Sequence, residues 1–128
     1  MNQLAKSMAS LAVCAVSCAM SMQASAQSWP SHIIKAVIPF GAGSATDVVP
    51  RAVFDRMSAE LGQTIVVENR TGAGGSLGTG VVAHAAPDGY TILAHSSALV
   101  IAPSLYPNLT YDVTRDLSSA LMLGTSVS

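Results

Sequence analysis

Cysteine is absent from the chain after its first 26 residues. Both cysteines, Cys14 and Cys18, lie within that segment, so no disulfide framework stabilises the remainder. Basic residues are also scarce, because residues 27–128 contain five Lys and Arg against seven Asp and Glu and carry a net charge of −2. With a single Trp and no basic stripe, this composition excludes nucleic acid as the expected partner.

The N-terminal apolar run is too short to span a membrane. Met8 to Met20 is uncharged and mostly apolar, whereas a spanning helix needs about 20 residues. Lys6 precedes this run and Ala24-Ser25-Ala26 follows it, in the order typical of a secretory signal peptide. We therefore predict that residues 1–26 direct export and that residues 27–128 form the mature chain. An interfacial helix and a lipid anchor on Cys18 are the alternatives.

A strand, a loop of small residues and a helix are predicted between Ile33 and Leu61. The apolar segment Ile33 to Pro39 carries only the charge of Lys35, which is typical of a strand covered on both faces. Asp47 is the expected N-cap of the helix, which would place Pro50 in the first turn. Its predicted buried stripe repeats every four residues and consists of Val49, Val53, Met57 and Leu61.

The rest of the chain continues the alternation of strands and helices. We predict strands at Thr64–Glu68 and Tyr90–Ala94, helices at Ser76–Ala86 and Leu99–Leu105 (the latter broken by Pro103), an irregular stretch at Pro107–Asp116, and a helix or strand at Leu117–Leu123. Strands that alternate with helices pair in parallel through right-handed crossovers. The expected fold class is therefore α/β with a parallel sheet.

Three loops rich in Gly, Ser or Thr follow the predicted strands. Ligands of open parallel sheets bind beyond the carboxyl ends of the strands, which here are Pro39–Thr46, Asn69–Ser76 and His95–Ala98. The first loop leads into a helix N-terminus, where backbone N–H groups and the helix dipole favour an anion such as a carboxylate. A plain strand-to-helix turn is the alternative there, and tight loop packing is the alternative for the second loop.

Catalytic and cofactor motifs are missing. Thr46 occupies the place of the third Gly in a dinucleotide fingerprint, and no Gly-Lys-Ser/Thr forms a P-loop. No Gly-x-Ser-x-Gly elbow supports a triad of Ser96 or Ser97 with His95 and Asp47. The three histidines lack metal-ligand spacing and are expected to be surface or structural residues: His32, His84 and His95. We predict no catalytic residue, no metal and no cofactor.

Five segments occur in an order that resembles one known family. They begin at Trp29 (WPSHIIK), Val37 (VIPFGAGSATD), Val66 (VVENRTGAGG), Ala86 (APDGYTIL) and Pro103 (PSLYPNLTYD). Together they closely resemble the periplasmic substrate-binding proteins of tripartite tricarboxylate transporters, also called the Bug family. The resemblance runs from about Trp29 to about Leu123 and covers nearly all of the mature chain.

The resemblance implies a fold, a ligand and a set of binding residues. The fold would be the β-α-β-α-β lobe of a type II-like periplasmic-binding-protein clamshell. Residues 27–128 would form the N-terminal part of its first domain, with the second domain absent. The protein would be a non-enzymatic monomer that binds a small carboxylate and serves membrane transporter subunits. The implied ligand-binding residues are Phe40, Gly41, Ala42, Gly43, Ser44, Thr46, Asp47, Gly74, Gly75, Ser96 and Ser97.

The chain departs from the family pattern in three respects. Gly43-Ser44 stands where the family usually has a Gly pair, and Pro50 stands where it commonly has a helix former. Members of the family are also considerably longer than this chain. The resemblance implies that Asp47 meets a polar or amino group of the ligand. Two alternatives to a binding lobe stay open, namely a secreted enzyme acting on a small carboxylate and a fragment that does not bind.

Overall fold

The computed structural model describes residues 28–124. The predicted signal peptide, residues 1–26, lies outside the described residues. In chain order the elements are β1 (Ile34–Ile38), α1 (Ala45–Leu61), β2 (Ile65–Asn69), a 3₁₀ turn (Ala73–Gly75), α2 (Ser76–Ala83), β3 (Thr91–Leu93), α3 (Ala98–Leu105) and α4 (Val113–Asp116). No helix within the described range is long and apolar enough to cross a membrane.

The three strands form one parallel sheet in the order β2-β1-β3. Ala36, in the centre of β1, pairs with Val67 of β2 and with Ile92 of β3. The side chains of β1 are buried as the apolar run predicted, since Ile34, Ala36, Val37 and Ile38 have no exposed surface. The predicted α/β class, the three strands and their parallel pairing are therefore confirmed.

The buried face of α1 differs from the predicted stripe. Phe54 is buried against the sheet in a core cluster with Ala36, Ile38 and Ala94, while Met57 packs at the margin. Val49, which the predicted stripe includes, is 51% exposed. The four-residue repeat therefore predicted the wrong buried face. An α-helix has 3.6 residues per turn, so residues spaced four apart drift around the helix and do not stay on one face.

The start of α1 also differs from the prediction. Ser44, with extended backbone angles, is the N-cap, so Asp47 lies inside the first turn. The N-cap thus lies three residues earlier than predicted, which places Pro50 in the interior of the helix instead of its first turn. Because proline has no N–H, the carbonyl of Thr46 lacks its helical donor. Pro50 is nevertheless a buried residue of the helix.

The C-terminal part shows further differences from the sequence prediction. α3 continues through Pro103 to Leu105 and is not broken there. α4 forms in the stretch expected to be irregular, because the Asp112 side chain caps it by accepting hydrogen bonds from the N–H groups of Thr114 and Arg115. Residues 117–123, expected to be a helix or a strand, adopt neither.

Candidate functional site

The loops that follow the three strands lie at one edge of the sheet. Because β1 is central and all pairings are parallel, the loop after β1 lies between the loops after β2 and β3. Residues 39–44, 70–75 and 94–97 form these loops. The predicted ligand-binding residues lie in these three loops, except for Thr46 and Asp47, which lie in the first turn of α1 directly after the first loop. Their contact with a ligand stays a prediction.

Asp47 connects the first loop to α1 and β2. Its Oδ2 accepts a hydrogen bond from the N–H of Gly43 at 2.8 Å, and its Oδ1 accepts from Nε of Arg51 at 2.9 Å and Nδ2 of Asn69 at 2.8 Å. The residue is only 2% exposed. Hydrogen bonds from Arg51, Asn69 and the Gly43 backbone lower the pKa of Asp47 to about 2. The carboxylate is therefore ionised at neutral pH and fixes the loop.

Asn69, the last residue of β2, completes this connection. Its Nδ2 also donates to the carbonyl oxygen of Phe40 at 2.9 Å, and its Oδ1 accepts from the Arg51 guanidinium at 2.7 Å. No role for Arg51 or Asn69 was predicted from the sequence. The i,i+4 spacing of Asp47 and Arg51 on a helix was an available signal, whereas the contacts of Asn69 depend on tertiary structure.

The N-terminus of α1 offers hydrogen-bond donors without a protein partner. Ser44 caps the helix without a side-chain hydrogen bond to it, and its Oγ lies 3.0 Å from Oγ1 of Thr46. Among the described residues, no acceptor is recorded for the N–H groups of Ala45 and Thr46. The first N–H groups of a helix lack intrahelical partners and carry part of the positive end of its dipole. This end of α1 can therefore bind an anion.

The glycines of the second loop allow close packing against neighbouring side chains. Gly75 has a φ of +94°, and a Cβ built there would lie 2.6 Å from Nε2 of His95. Gly74 has a φ of +63°, and a Cβ there would lie 2.8 Å from the Tyr106 hydroxyl. Both positions therefore favour glycine for backbone and packing reasons. This supports the tight-packing alternative, and the predicted ligand contact of these glycines is untested.

The third loop places His95 between the other two. The His95 ring meets Phe40 in an edge-to-face arrangement, with ring centroids 5.0 Å apart, and its Nδ1 lies 2.9 Å from the carbonyl oxygen of Ser96. Partial burial lowers the pKa of His95 below 6.5. Ser96 Oγ accepts a weak hydrogen bond from the N–H of Ala98 at 3.3 Å, and exposed Ser97 is the N-cap of α3.

Every Lys and Arg of the described chain has an acidic partner. Lys35 and Arg70 both contact Glu68, Arg51 contacts Asp47, and the other two pairs are Arg56–Glu60 and Arg115–Asp116. Within residues 28–124, no group of three His, Cys, Asp or Glu side chains is placed to hold a metal ion. Neutral donors and helix dipoles are therefore the groups that can receive an anion at the loop edge.

A shallow cavity of about 290 Å³ lies beside the second loop, where two of its lining residues, Ala73 and Ser76, flank Gly74 and Gly75. None of the predicted binding residues lines the cavity. Two of the lining residues, Ser76 and Tyr111, have buried hydroxyls without a hydrogen-bond partner among the described residues. The complete lining comprises Ala73, Ser76, Leu77, Tyr106, Pro107, Asn108, Leu109, Thr110 and Tyr111.

Sequence comparisons agree with this architecture. Residues 49–127 match the tripartite tricarboxylate transporter family receptor. A UPF0065 protein of Bordetella bronchiseptica is 50% identical over 95 residues, which cover 73% of this chain and 28% of that protein. The protein BugT of Bordetella pertussis is 42% identical over 102 residues, covering 78% of this chain and 31% of BugT. The chain thus spans about three-tenths of the length of these relatives.

Solved structures show the same arrangement of strands and helices. A structure described as a periplasmic transporter has a TM-score of 0.62 and 46% identity, covering 66% of this chain and 29% of that one. The structure of MatC from Rhodopseudomonas palustris with bound malate has a TM-score of 0.59 and 40% identity, and the match covers 69% of this chain and 30% of MatC. The parallel lobe is therefore of the kind found in periplasmic binding proteins. The chain belongs to the tripartite tricarboxylate transporter receptor family, as the sequence resemblance implied.

Proposed function

We propose that this chain is a lobe of a periplasmic solute-binding receptor that captures a small carboxylate for a tripartite tricarboxylate transporter. The N-terminus of α1 carries the proposal, because the N–H groups of Ala45 and Thr46 have no acceptor among the described residues. The hydroxyls of Ser44 and Thr46 stand beside them. A carboxylate is a matching acceptor, since helix N-termini bind anions through such groups.

The hydrogen bonds around Asp47 favour the same function. They hold Gly43 and Phe40 through Asp47 and Asn69, so the loop needs little further ordering when a ligand binds. Ordering of loops and side chains subtracts from binding energy. A pre-formed loop therefore supports affinity for a ligand as small as a dicarboxylate.

Family membership supports the remaining parts of the proposal. MatC is a structural neighbour whose structure contains malate, and a small carboxylate is accordingly the ligand class proposed here. We propose export by residues 1–26, a monomeric state, delivery to membrane transporter subunits and no catalytic activity. Residues 27–128 would form the N-terminal part of the first domain, the second domain lying outside this sequence.

Titration of the purified chain with succinate and malate tests the proposal. Thr46→Val removes a hydroxyl from the α1 N-terminus, and the dissociation constant should rise by up to about tenfold, the contribution of one hydrogen bond. Thr64→Val makes the same chemical change at an exposed residue before β2 and should leave binding unchanged. If neither carboxylate binds, the proposed function is wrong for this chain, and a non-binding fragment is the better description.

The same samples distinguish a receptor from a secreted enzyme. Proton NMR of succinate and malate incubated with the chain should show unchanged ligand resonances over many hours. Conversion of either carboxylate to a new compound at a rate proportional to protein concentration would favour the enzyme. Loss of that conversion in Ser97→Ala would then point to the third loop as its origin.

A further inference from the structure

Both carboxylate oxygens of Asp47 already accept hydrogen bonds from the protein. Oδ1 accepts from Nε of Arg51 at 2.9 Å and from Nδ2 of Asn69 at 2.8 Å, and Oδ2 accepts from the N–H of Gly43 at 2.8 Å. The residue is only 2% exposed. A ligand amino group that displaced one of these donors would leave it unpaired, which is unfavourable. The geometry is therefore at odds with the ligand contact that the family resemblance implies for Asp47.

The donors to Asp47 connect it to both ends of the first loop. Gly43 directly precedes Ser44, the N-cap of α1. Asn69 also donates from Nδ2 to the carbonyl oxygen of Phe40 at 2.9 Å, near the beginning of the loop. The carboxylate thus holds the end of the loop directly and its beginning by way of Asn69. This loop leads into the N-terminus of α1, which is the proposed carboxylate site.

The charge of Asp47 and its hydrogen bonds have opposite effects on a bound anion. Hydrogen bonds from Arg51, Asn69 and the Gly43 backbone keep its pKa at about 2, so the side chain is an anion at pH 7. A negative charge in the first turn of a helix reduces the positive potential there, and two like charges repel each other. Removal of the charge would therefore raise ligand affinity if electrostatics dominated and lower it if loop positioning dominated.

We propose that Asp47 is a positioning residue of the carboxylate site, which holds the first loop through Gly43 and Asn69 and does not itself contact the ligand. This inference rests on the proposed carboxylate-binding function and replaces the role that the family resemblance implies for Asp47. Because Asp47 acts through the loop, it contributes equally to the affinity for every carboxylate, whatever other groups the ligand carries.

Asp47→Asn in the purified full chain tests both the sign and the selectivity of the effect. An amide has one oxygen and one NH₂ group, so in either orientation it presents a donor to at least one of the three donors that the carboxylate accepts. By titration calorimetry at pH 7, we expect the dissociation constant of succinate to rise about tenfold, the contribution of one hydrogen bond. L-Aspartate, which adds an amino group to succinate, should lose affinity by the same factor if it binds.

A second variant separates positioning from a general loss of stability. Met57→Ala removes a side chain that packs at the margin of the core and should leave the affinity for succinate unchanged at a temperature where the chain is folded. An equal loss of affinity in Met57→Ala would assign the effect of Asp47→Asn to stability. If Asp47→Asn does not fold, the wild-type ¹³Cγ resonance of Asp47 decides, since L-aspartate should shift it no more than succinate does. A larger shift with L-aspartate excludes the proposed role.

The outcomes separate the two proposals. If Asp47→Asn binds succinate as tightly as the wild-type chain or more tightly, or loses affinity for L-aspartate alone, the positioning role is wrong and carboxylate binding stands. If the wild-type chain binds neither succinate nor malate, the proposed function is wrong and the inference that rests on it is also wrong.

Discussion

The side-chain amide of Asn69 donates a hydrogen bond to the carboxylate of Asp47, with Nδ2 and Oδ1 2.8 Å apart. Asn69 ends β2, whereas Asp47 lies in the first turn of α1. The same amide nitrogen donates to the carbonyl oxygen of Phe40. One side chain thus fixes the position of the first loop relative to the strand beside it.

Replacing Asn69 should therefore weaken the lobe more than its partial exposure suggests. Asn69→Ala leaves the Phe40 carbonyl and the Asp47 carboxylate each without one donor, and we expect the free energy of unfolding to fall by about 1–3 kcal/mol. Urea denaturation measures the change. Asn108→Ala, at an exposed asparagine, should change it by less than about 0.5 kcal/mol. Equal effects of the two variants would contradict the structural role of Asn69.

The ionisation of Asp47 should make the lobe sensitive to acid. Its native pKa of about 2 lies below the ordinary value of 3.8, so its contribution to stability is complete above about pH 4 and is lost as the pH falls through about 2. The Asp47 ¹³Cγ resonance should titrate near pH 2. In Asn69→Ala the midpoint should rise, because one stabilising donor is gone. A wild-type midpoint near 3.8 would show that the hydrogen bonds do not form.

Phe54 and Val49 together test which face of α1 contacts the sheet. Phe54 is 5% exposed and packs in the core, so Phe54→Ala should lower the free energy of unfolding by about 3–5 kcal/mol. Val49→Ala removes a half-exposed side chain and should change it by less than about 0.5 kcal/mol. Thermal and urea denaturation measure both. A larger loss in Val49→Ala would favour the stripe predicted from sequence.

Two glycines of α2 should respond in opposite directions to the same substitution. A Cβ on Gly78 would lie 2.7 Å from the Arg70 carbonyl oxygen and 2.8 Å from Cβ of Pro39, while a Cβ on Gly80 has no neighbour closer than 3.6 Å. Gly78→Ala should thus lower the melting temperature. Gly80→Ala should raise it, because alanine is better than glycine in a helix by up to about 1 kcal/mol. A rise in both would show that α2 does not approach the loops this closely.

The parts of the fold that depend on local pattern could be predicted from sequence. The apolar run of β1 and the small residues after it located the central strand and the first loop, and family motifs identified the loop edge. Asp112 also carried a usable signal, since an Asp two residues before a Thr in a short polar stretch favours an N-cap. That signal was misjudged when the stretch was predicted to be irregular.

The contacts that depend on tertiary packing could not be predicted. The hydrogen bond between Arg51 and Asn69 joins residues 18 positions apart, and the local sequence of neither reveals the other. The burial of Phe54 in place of Val49 depends on how α1 lies across the sheet. Likewise, His95 becomes part of the loop edge only because Gly75 leaves space for its ring.

The pairing of all five Lys and Arg side chains has a consequence for ligand capture. Since each cation in the described range already has an acidic partner, long-range attraction of a ligand anion is weak. Dipoles and N–H groups act over short distances, within the screening length of about 8 Å at physiological salt. Capture of a carboxylate would then depend on diffusion to the loop edge and only weakly on ionic strength.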